Sequence, residues 1–227
     1  MLKNILCHTI FEDPLKKILA PIVIDCGANK GEFSEYANDQ LNAKCYGFEP
    51  DPRLFKNLIN KNKITYLQKA IGSSEGMVRL NLGEKHCSSL MYKESSDQNY
   101  VKVDMTTLES FCTSNKLESI NLLKIDIEGA ELDLLENLTS GFLSKIEQIT
   151  VEFHDFLDKN DIPRIKKIIK RMKNEDFYVL RLSYFTYGDV LMINQRRIRI
   201  SNLQKLIFAI YKYTVGLKRL VSKVLKL

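Results

Sequence analysis

An aspartate and two glycines follow an aliphatic run near the amino terminus, in the stretch VIDCGANKGEFSEY. Asp25 precedes Gly27, and Gly31 comes four residues later. Glycine accepts positive φ angles and lets a ligand approach the backbone, and a helix beginning near Gly31 would point free N–H groups into the turn. The stretch lacks the third glycine of a dinucleotide loop, and Asp25 would repel a pyrophosphate. We therefore expect a ligand with a positively charged end; the alternative is a turn that only permits tight strand–helix packing.

A second acid stands at the end of the next apolar run, in YGFEPD. Glu49 follows Asp25 by 24 residues, in the region where such folds place a carboxylate that accepts hydrogen bonds from both ribose hydroxyls. S-adenosylmethionine combines a ribose with an ammonium group and carries no phosphate, so the two acids together predict a site for this cofactor. The predicted cofactor-binding residues are Asp25, Gly27, Ala28, Asn29, Gly31, Ser34, Glu49, Pro50, Ala70, Ser89 and Asp126.

The stretch LLKIDIEGAE gathers four ionisable groups at the end of a predicted strand: Lys124, Asp126, Glu128 and Glu131. The period of two places the first three on one face of the strand. Three charges on a buried face need partners or a crevice, so we interpret them as part of a site. Glu131 falls in the first turn of the following helix, where a structural role with the helix dipole is as good an explanation as a site role.

The next strand ends in VEFH, which supplies Glu152 and His154 on one face. A lone histidine is more often structural, but its ordinary pKa near neutrality suits a general base. A divalent metal bridging two of the carboxylates is compatible with the sequence but not required by it. The sequence does not decide which of Asp126, Glu128 and His154 is the base, and Lys124 is expected to neutralise the carboxylates. The predicted catalytic residues are Asp126, Glu128, His154 and Lys124.

Strand-like and helix-like segments alternate along the chain, and this alternation predicts a doubly wound α/β domain. Its sheet is expected to be mostly parallel, with an antiparallel C-terminal strand, and to bind ligands at the carboxyl ends of its strands. We expect this domain over residues 21–197, after a helical lead-in over residues 1–20. His8 in the lead-in and His86 have no placement comparable to that of His154. Asp104 is a further candidate for the crevice.

Residues 198–227 are predicted to form a basic amphipathic helix. Nine basic residues and no acidic residue follow Asp189, so residues 1–189 carry 25 basic and 28 acidic residues. An apolar face beside a basic face favours anionic lipid, although a helix docked on the domain or on a partner is nearly as good an interpretation. Thr214 and Gly216 are expected to interrupt or kink it. The mildly acidic body argues against DNA as a partner.

The composition indicates a cytoplasmic globular protein. Hydrophobic residues make up 44% of the 227 residues, enough for a core. Five scattered cysteines without CxxC spacing indicate neither a disulfide framework nor a metal site and favour a reducing compartment. We find no signal-peptide pattern and no apolar run long enough to span a membrane. A location on the inner face of the cell membrane, through residues 201–227, is compatible with this pattern.

Several motifs resemble the FkbM-type methyltransferase family: VIDCGANKGEFS, GFEPDP, SSL, TLESF and INLLKIDIEGAELDLLENL. The resemblance runs from about Val23 to His154 and continues more weakly through FYVL and DVLMIN. Asn29 departs from the glycine of methyltransferase loops in general, but the family pattern D-x-G-A-N-x-G expects it. The resemblance also implies that the loop with His86, Ser88 and Ser89 lies near cofactor or substrate, while a solvated surface loop is an equal alternative.

The resemblance implies a class I, Rossmann-like methyltransferase that uses S-adenosylmethionine. The leading hypothesis is O-methylation of a sugar hydroxyl in a bacterial surface glycan or its lipid-linked precursor. The alternatives are a methyltransferase-like scaffold that no longer catalyses, and methylation of a small natural-product or RNA hydroxyl. Neither the acceptor nor the oligomeric state follows from the sequence.

Overall fold

The structure is a computed structural model that describes residues 1–83, 89–91 and 100–224, without the side chains of residues 89–91 and 215–224. The strands are β1 (Leu2–Ile5), β2 (His8–Phe11), β3 (Ile22–Cys26), β4 (Lys44–Phe48), β5 (Ile64–Leu67), β6 (Ala70–Ile71), β7 (Gly76–Asn81), β8 (Ser89–Met91), β9 (Tyr100–Thr106), β10 (Leu122–Ile125), β11 (Gln148–Val151), β12 (Phe177–Arg181) and β13 (Val190–Asn194). The helices are α1 (Glu12–Leu15), α2 (Glu32–Leu41), α3 (Pro52–Phe55), α4 (Leu108–Ser114), α5 (Glu131–Asn137), α6 (Ser140–Leu143), α7 (Ile162–Asn174) and α8 (Asn202–Val224).

A seven-stranded central sheet runs in the order β12-β13-β11-β10-β3-β4-β5. The strands from β11 to β5 pair in parallel, whereas β13 is antiparallel to both β11 and β12. From β3 the chain moves outward through β4 to β5 and then returns to the other side of β3 as β10. The carboxyl ends of β3 and β10 therefore flank the switch point where doubly wound folds bind ligands. The predicted doubly wound α/β architecture, mostly parallel with an antiparallel C-terminal strand, is confirmed.

The two faces of the sheet are buried by different elements, because side chains alternate along each strand. On β10, Leu123 and Ile125 join the core formed with α4, α5, α6 and α7. Leu122 points to the opposite side and packs with α2 and the amino-terminal segment. Lys124 shares that second face, yet it is almost completely buried at the carboxyl edge. The alternation predicted from the sequence thus holds for β10, but the strand ends at Ile125, before the acidic residues.

The amino-terminal segment is not the predicted helical lead-in. β1 and β2 form an antiparallel hairpin, and only the single turn of α1 is helical. Two buried polar residues of the domain anchor the hairpin. Gln148 accepts from Phe11 N at 2.9 Å and donates to Phe11 O at 3.0 Å, and Asp189 accepts from Thr9 N at 3.1 Å. These long-range bonds satisfy strand edges that a local sequence pattern cannot anticipate.

The segment after β4 is also less helical than expected, since PRLFKNLINKNK forms only the single turn of α3. Asp51 caps this turn by accepting from Arg53 N at 2.8 Å. Asn60 then accepts from Tyr66 N at 2.8 Å, which ties the segment to β5. A smaller sheet of order β6-β9-β7-β8 follows, and it places Ala70 and Leu80 beside the carboxyl end of β4.

α8 continues without a break past Thr214 and Gly216, contrary to the expected interruption. Its first turns dock through Phe208, which is 1% exposed and lies edge-on to Phe11 with ring centroids 5.1 Å apart. A separate apolar stripe of this helix is exposed: Leu203, Leu206, Ile207 and Ile210. Within the described residues, no helix is both long enough and apolar enough to cross a membrane.

Candidate active site

The turn after β3 is held in place by the ends of its two neighbouring strands. Gly27 N and Ala28 N both donate to Phe48 O on β4, at 2.9 and 2.8 Å. On the other side, Asp126 N donates to Cys26 O at 3.0 Å. A Cβ added to Gly27, whose φ is +85°, would lie 1.8 Å from the carbonyl oxygen of Asp126. Only glycine fits this position, because the turn lies directly against the backbone of Asp126 at the switch point.

The first pocket opens on the β4 side of this turn and has a volume of about 570 Å³, including its open mouth. It is lined by Gly27, Asn29, Phe48, Glu49, Pro50, Leu54, Lys69, Ala70, Ile71, Leu80, Asp126, Ile127 and Glu128. Six of the predicted cofactor-binding residues therefore line one cavity: Gly27, Asn29, Glu49, Pro50, Ala70 and Asp126.

Glu49 is buried in the wall of the first pocket. Its two carboxylate oxygens accept from Asn29 N at 2.7 Å and from Asp51 N at 2.9 Å. Burial raises the pKa of Glu49 to about 7, although these two backbone hydrogen bonds act in the opposite direction. Each oxygen keeps a further lone pair for a ligand hydroxyl. The backbone of the glycine turn and the acid at the end of β4 are thus directly linked.

Asp25 does not face the pocket, and this differs from the expected contact with a positively charged ligand. Its side chain is 0% exposed, it accepts from Ser34 Oγ at 2.7 Å, and it lies 3.1 Å from Lys124 Nζ. Ser34 is equally buried, and Gly31 caps α2 behind the cavity with a φ of +82°. Asp25, Ser34 and Gly31 therefore support the turn from the side away from the first pocket. The positive charge next to Asp25 is the ammonium group of Lys124 and not a ligand.

Lys124 extends from β10 under the glycine turn. Its Nζ donates to the Gly27 carbonyl oxygen at 2.6 Å and lies 3.5 Å from Asp126 Oδ2. Burial would lower the pKa of Lys124, but the charges of Asp25 and Asp126 outweigh burial and raise it. The side chain is therefore a buried ammonium group that joins β3 to β10, in line with its predicted neutralising role.

Asp126 directly follows β10, and the structure brings an unexpected residue to it. Nε2 of His8, from the amino-terminal hairpin, lies 3.3 Å from Asp126 Oδ2. Burial would raise the pKa of Asp126, but this hydrogen bond and the charges of Lys124 and His154 hold it well below its usual range. His8 was given no role from the sequence. No local pattern marks it, because the hairpin that carries it is anchored by residues far along the chain.

Glu131 holds the loop between β10 and α5. It is 1% exposed and accepts from Ile127 N at 3.0 Å and from Gly129 N at 3.0 Å. In this loop Glu128 adopts a φ of +53°, a left-handed conformation that is uncommon for a residue with a side chain. The sequence is compatible with either a structural role or a site role for Glu131, and these contacts support the structural role.

His154 is surrounded by carboxylates. Nδ1 donates to Glu131 Oε1 at 3.1 Å, while Nε2 lies 3.3 Å from Glu128 Oε2 and 3.8 Å from Asp126 Oδ1. Burial would lower the pKa of His154, but the Glu131 hydrogen bond and the three negative charges raise it to about 9. A histidine with this pKa is protonated near pH 7 and does not suit the predicted role of general base. The carboxylates that gather at this edge of the sheet are the physical reason.

The second pocket lies on the other side of the glycine turn, beneath the amino-terminal hairpin. It is lined by Leu6, Cys7, His8, Gly27, Ala28, Asn29, Lys30, Glu32, Phe33, Lys124, Asp126 and Glu152. Glu152 follows β11, the strand next to β10, and burial together with the charge of Asp126 raises its pKa to about 7. The predicted site residues do not include Glu152. Its position directly after the parallel strand next to β10 nevertheless indicates that it lies at the same edge of the sheet as Asp126.

The remaining predicted residues fall into two groups. Asp104, on β9, is 60% exposed and lines neither pocket, although it lies 3.9 Å from Lys69, which lines the first, so it is not the expected crevice residue. His86 and Ser88 lie outside the described residues. Ser89 begins β8, but its side chain is outside the description, so its predicted contact with the cofactor stays a prediction.

Comparison with known proteins gives a consistent result. Residues 25–179 match the family model of the methyltransferase FkbM domain. Methyltransferase 1 of Beauveria bassiana is 27% identical over 175 residues, which cover 65% of this chain and 70% of that protein. Hexuronic acid methyltransferase AglP of Haloferax volcanii is 22% identical over 172 residues, 70% of each chain. 2-O-methyltransferase NoeI of Sinorhizobium fredii is 23% identical over 200 residues, 78% of this chain and 80% of that protein.

The matched segment begins at Asp25 and ends in β12, so it contains the glycine turn, Glu49, Asp126 and His154 but not the amino-terminal hairpin that covers the second pocket. It covers well over half of the chain, and the family resemblance expected from the sequence motifs is confirmed. The chain belongs to the FkbM family of S-adenosylmethionine-dependent methyltransferases.

Proposed function

We propose that this enzyme transfers a methyl group from S-adenosylmethionine to a hydroxyl group of a sugar. The observation that carries the proposal is the pair of pockets that meet at Gly27, Asn29 and Asp126. One is suited to the cofactor, and the other leaves room for an acceptor beside it. The names of two relatives, a hexuronic acid methyltransferase and a 2-O-methyltransferase, support a sugar as the acceptor.

The first pocket has the features that S-adenosylmethionine requires. The buried Glu49 carboxylate keeps free lone pairs for the two ribose hydroxyls, and Gly27 lets the turn lie directly against the Asp126 backbone at the wall of the pocket. Asn29, Pro50 and Ala70 complete the walls that would hold the rest of the molecule. Asp25, Gly31 and Ser34 support this binding surface from behind. When bound, the cofactor supplies a methyl group that its sulfonium already activates for displacement.

The protein's own part in the reaction is positioning and proton transfer. Alignment of two reactants supplies on the order of 7–11 kcal/mol, and a placed base typically about 10²–10⁴-fold. Asp126 and Glu128 both line the first pocket. Burial raises the pKa of Glu128, so we assign the proton of the acceptor hydroxyl to this carboxylate. Asp126, whose pKa is held well below its usual range, stays ionised and can accept a hydrogen bond from that hydroxyl. Protonated His154 keeps the loop that carries the two carboxylates in place. Lys124 fixes the turn by its bond to Gly27 O.

The test compares surface glycans from cells with and without the protein by mass spectrometry. We expect the glycans of cells without it to lack one methyl group on a sugar, and a gene encoding Asp126→Asn not to restore that group. Purified protein binding S-adenosylhomocysteine serves as the folding control. Binding without any change in the glycans would contradict the sugar acceptor and favour a scaffold, a natural-product hydroxyl or an RNA hydroxyl.

We also propose that α8 holds the enzyme on anionic lipid. Its docked side uses Phe208, which leaves Leu203, Leu206, Ile207 and Ile210 exposed, 48–66% each. The sequence of residues 198–227 adds basic residues and no acid, which suits a negatively charged membrane surface.

Vesicles of stated composition test this attachment. We expect the protein to sediment with phosphatidylglycerol-containing vesicles and to remain in solution with pure phosphatidylcholine. The double variant Leu206→Ser with Ile210→Ser should lose sedimentation, because it removes exposed apolar area and leaves Phe208 packed. Deleting the helix would be a poorer test, since it would uncover the core around Phe208. Equal sedimentation of variant and wild type would contradict the proposal.

A further inference from the structure

Three side chains from separate parts of the chain converge at the second pocket. His8 comes from β2, Asp126 follows β10 and Glu152 follows β11, and one ligand atom of each lies within 4.8 Å of the others. His8 Nε2 and Asp126 Oδ2 are 3.3 Å apart. Two adjacent ligands of one ion, each about 2.1 Å from it, are separated by about 3.0–3.4 Å in octahedral or tetrahedral geometry. The His8–Asp126 pair already has this spacing, and the ligand atom of Glu152 lies within 4.8 Å of both.

His8 is a buried imidazole in the wall of the second pocket. Its side chain is 2% exposed, and its Nε2 faces Asp126, whereas Nδ1, on the other side of the ring, has no hydrogen-bond partner within the described part of the chain. Because no such contact of Nδ1 fixes the tautomer of the ring, Nε2 can offer its lone pair to a ligand. The imidazole is aimed at Asp126 from the wall of the second pocket, and imidazole is the commonest metal ligand in proteins.

The charges around this cluster favour an added cation. Five carboxyl groups lie close together at this edge of the sheet, and Lys124 and protonated His154 are the cations that form ion pairs with them in the described part of the chain. Lys124 Nζ is 3.1 Å from Asp25 and 2.6 Å from Gly27 O but 3.5 Å from Asp126, so Asp126 shares this ammonium group with two nearer partners. The five carboxyl groups are those of Asp25, Asp126, Glu128, Glu131 and Glu152.

A neighbouring set, Asp126, Glu131 and His154, also brings three ligand atoms within 4.8 Å. Glu131 is already occupied there by Ile127 N, Gly129 N and His154 Nδ1. A metal would have to break these bonds and open the loop. In the set with His8, a metal would replace the single His8–Asp126 hydrogen bond and leave the loop closed, so this set is the better candidate.

We propose that His8, Asp126 and Glu152 bind a divalent first-row metal ion of the Mn²⁺ class in the second pocket. One imidazole and two carboxylates form a mixed nitrogen and oxygen set, which suits Mn²⁺ better than an all-oxygen ion such as Ca²⁺. Three protein ligands leave coordination positions open to the pocket. The metal's use, which rests on the proposed function, is to hold the oxygen of the acceptor hydroxyl beside the cofactor pocket.

The test is titration of the full-length protein with MnCl₂ alone, followed by the electron paramagnetic resonance signal of free Mn²⁺. We expect one tight site in the wild type, weakened at least about 100-fold in Glu152→Gln and in His8→Ala, because even second-shell residues typically contribute 10–100-fold. Glu32→Gln is the matched control, since Glu32 lines the same pocket but lies outside the three-ligand cluster. Glu152→Gln is nearly isosteric, which keeps the test valid if His8→Ala fails to fold.

Binding that Glu32→Gln leaves intact and Glu152→Gln removes would support the proposal. The absence of Mn²⁺ binding in the wild type, or equal binding in every variant, would overturn it. Calorimetry with S-adenosylhomocysteine on the same samples separates the test of the metal site from the test of the proposed function. A protein that binds Mn²⁺ at this site but not S-adenosylhomocysteine would contradict the proposed function and leave the metal site standing.

Discussion

Replacing Glu49 by Gln is expected to weaken the binding of S-adenosylhomocysteine by about 30- to 150-fold. The carboxylate would accept both ribose hydroxyls in charge-assisted hydrogen bonds, whereas Gln keeps one oxygen and turns a donor toward the ligand. Losing one such bond costs about 2–3 kcal/mol, which converts to that ratio. Isothermal titration calorimetry measures it, and Glu32→Gln, an exposed change in the second pocket, should bind as the wild type does.

The same residue predicts how cofactor affinity depends on pH. Burial raises the pKa of Glu49 to about 7 in the free protein. Because the ribose hydroxyls donate to the ionised carboxylate, binding favours the ionised form and lowers this pKa. Affinity is therefore full above about pH 7 and falls as pH drops below 7, by up to about tenfold per unit. Glu49→Gln should flatten this dependence. Wild-type affinity in the variant, or an unchanged slope, would contradict the assignment of Glu49 to the ribose.

The local sequence was sufficient to predict most residues on the cofactor-binding side of the site. The glycine turn after β3 and the acid after β4 follow from residue types, strand ends and the topology of parallel sheets, all of which act over short distances. The structure brings Gly27, Asn29 and Glu49 together as expected, joined by the hydrogen bond from Asn29 N to Glu49. The exception is Asp25, whose partner Lys124 is 99 residues away and reaches it only through the pairing of β3 with β10.

The other side of the site depends on contacts that no local pattern contains. His8 reaches Asp126 because Gln148 and Asp189 hold the hairpin against the sheet. The apolar spacing of residues 1–20 fits either a helix or strands, and only the packing against β11 and β13 decides between them. Likewise, the raised pKa of His154 arises from Asp126, Glu128 and Glu131 after β10, which the pairing of β10 with β11 brings to it. Residue type alone predicted a base there, whereas the assembled charges make a cation.

Gly27→Ala is expected to remove cofactor binding and to destabilise the fold. The new Cβ would lie 1.8 Å from the Asp126 carbonyl oxygen and 2.9 Å from its carbonyl carbon, so backbone rather than a flexible side chain must move. Separating β3 from β10 at this point would break the bond from Asp126 N to Cys26 O and displace Asp126 from the first pocket. A displacement of about 1 Å in a binding site can cost about 100-fold.

The cost to stability combines this overlap with the φ of +85°, together about 2–5 kcal/mol. For a chain of this size, that corresponds to a fall in Tm of roughly 5–15 °C. Gly76→Ala separates the cost of a positive φ from the cost of atomic overlap. Gly76 has a φ of +129°, but no atom lies within 4 Å of the added Cβ. We expect Gly76→Ala to lower Tm modestly and to keep S-adenosylhomocysteine binding. If Gly27→Ala matched it in both measurements, the close approach of the β3 turn to Asp126 would not be what shapes the cofactor site.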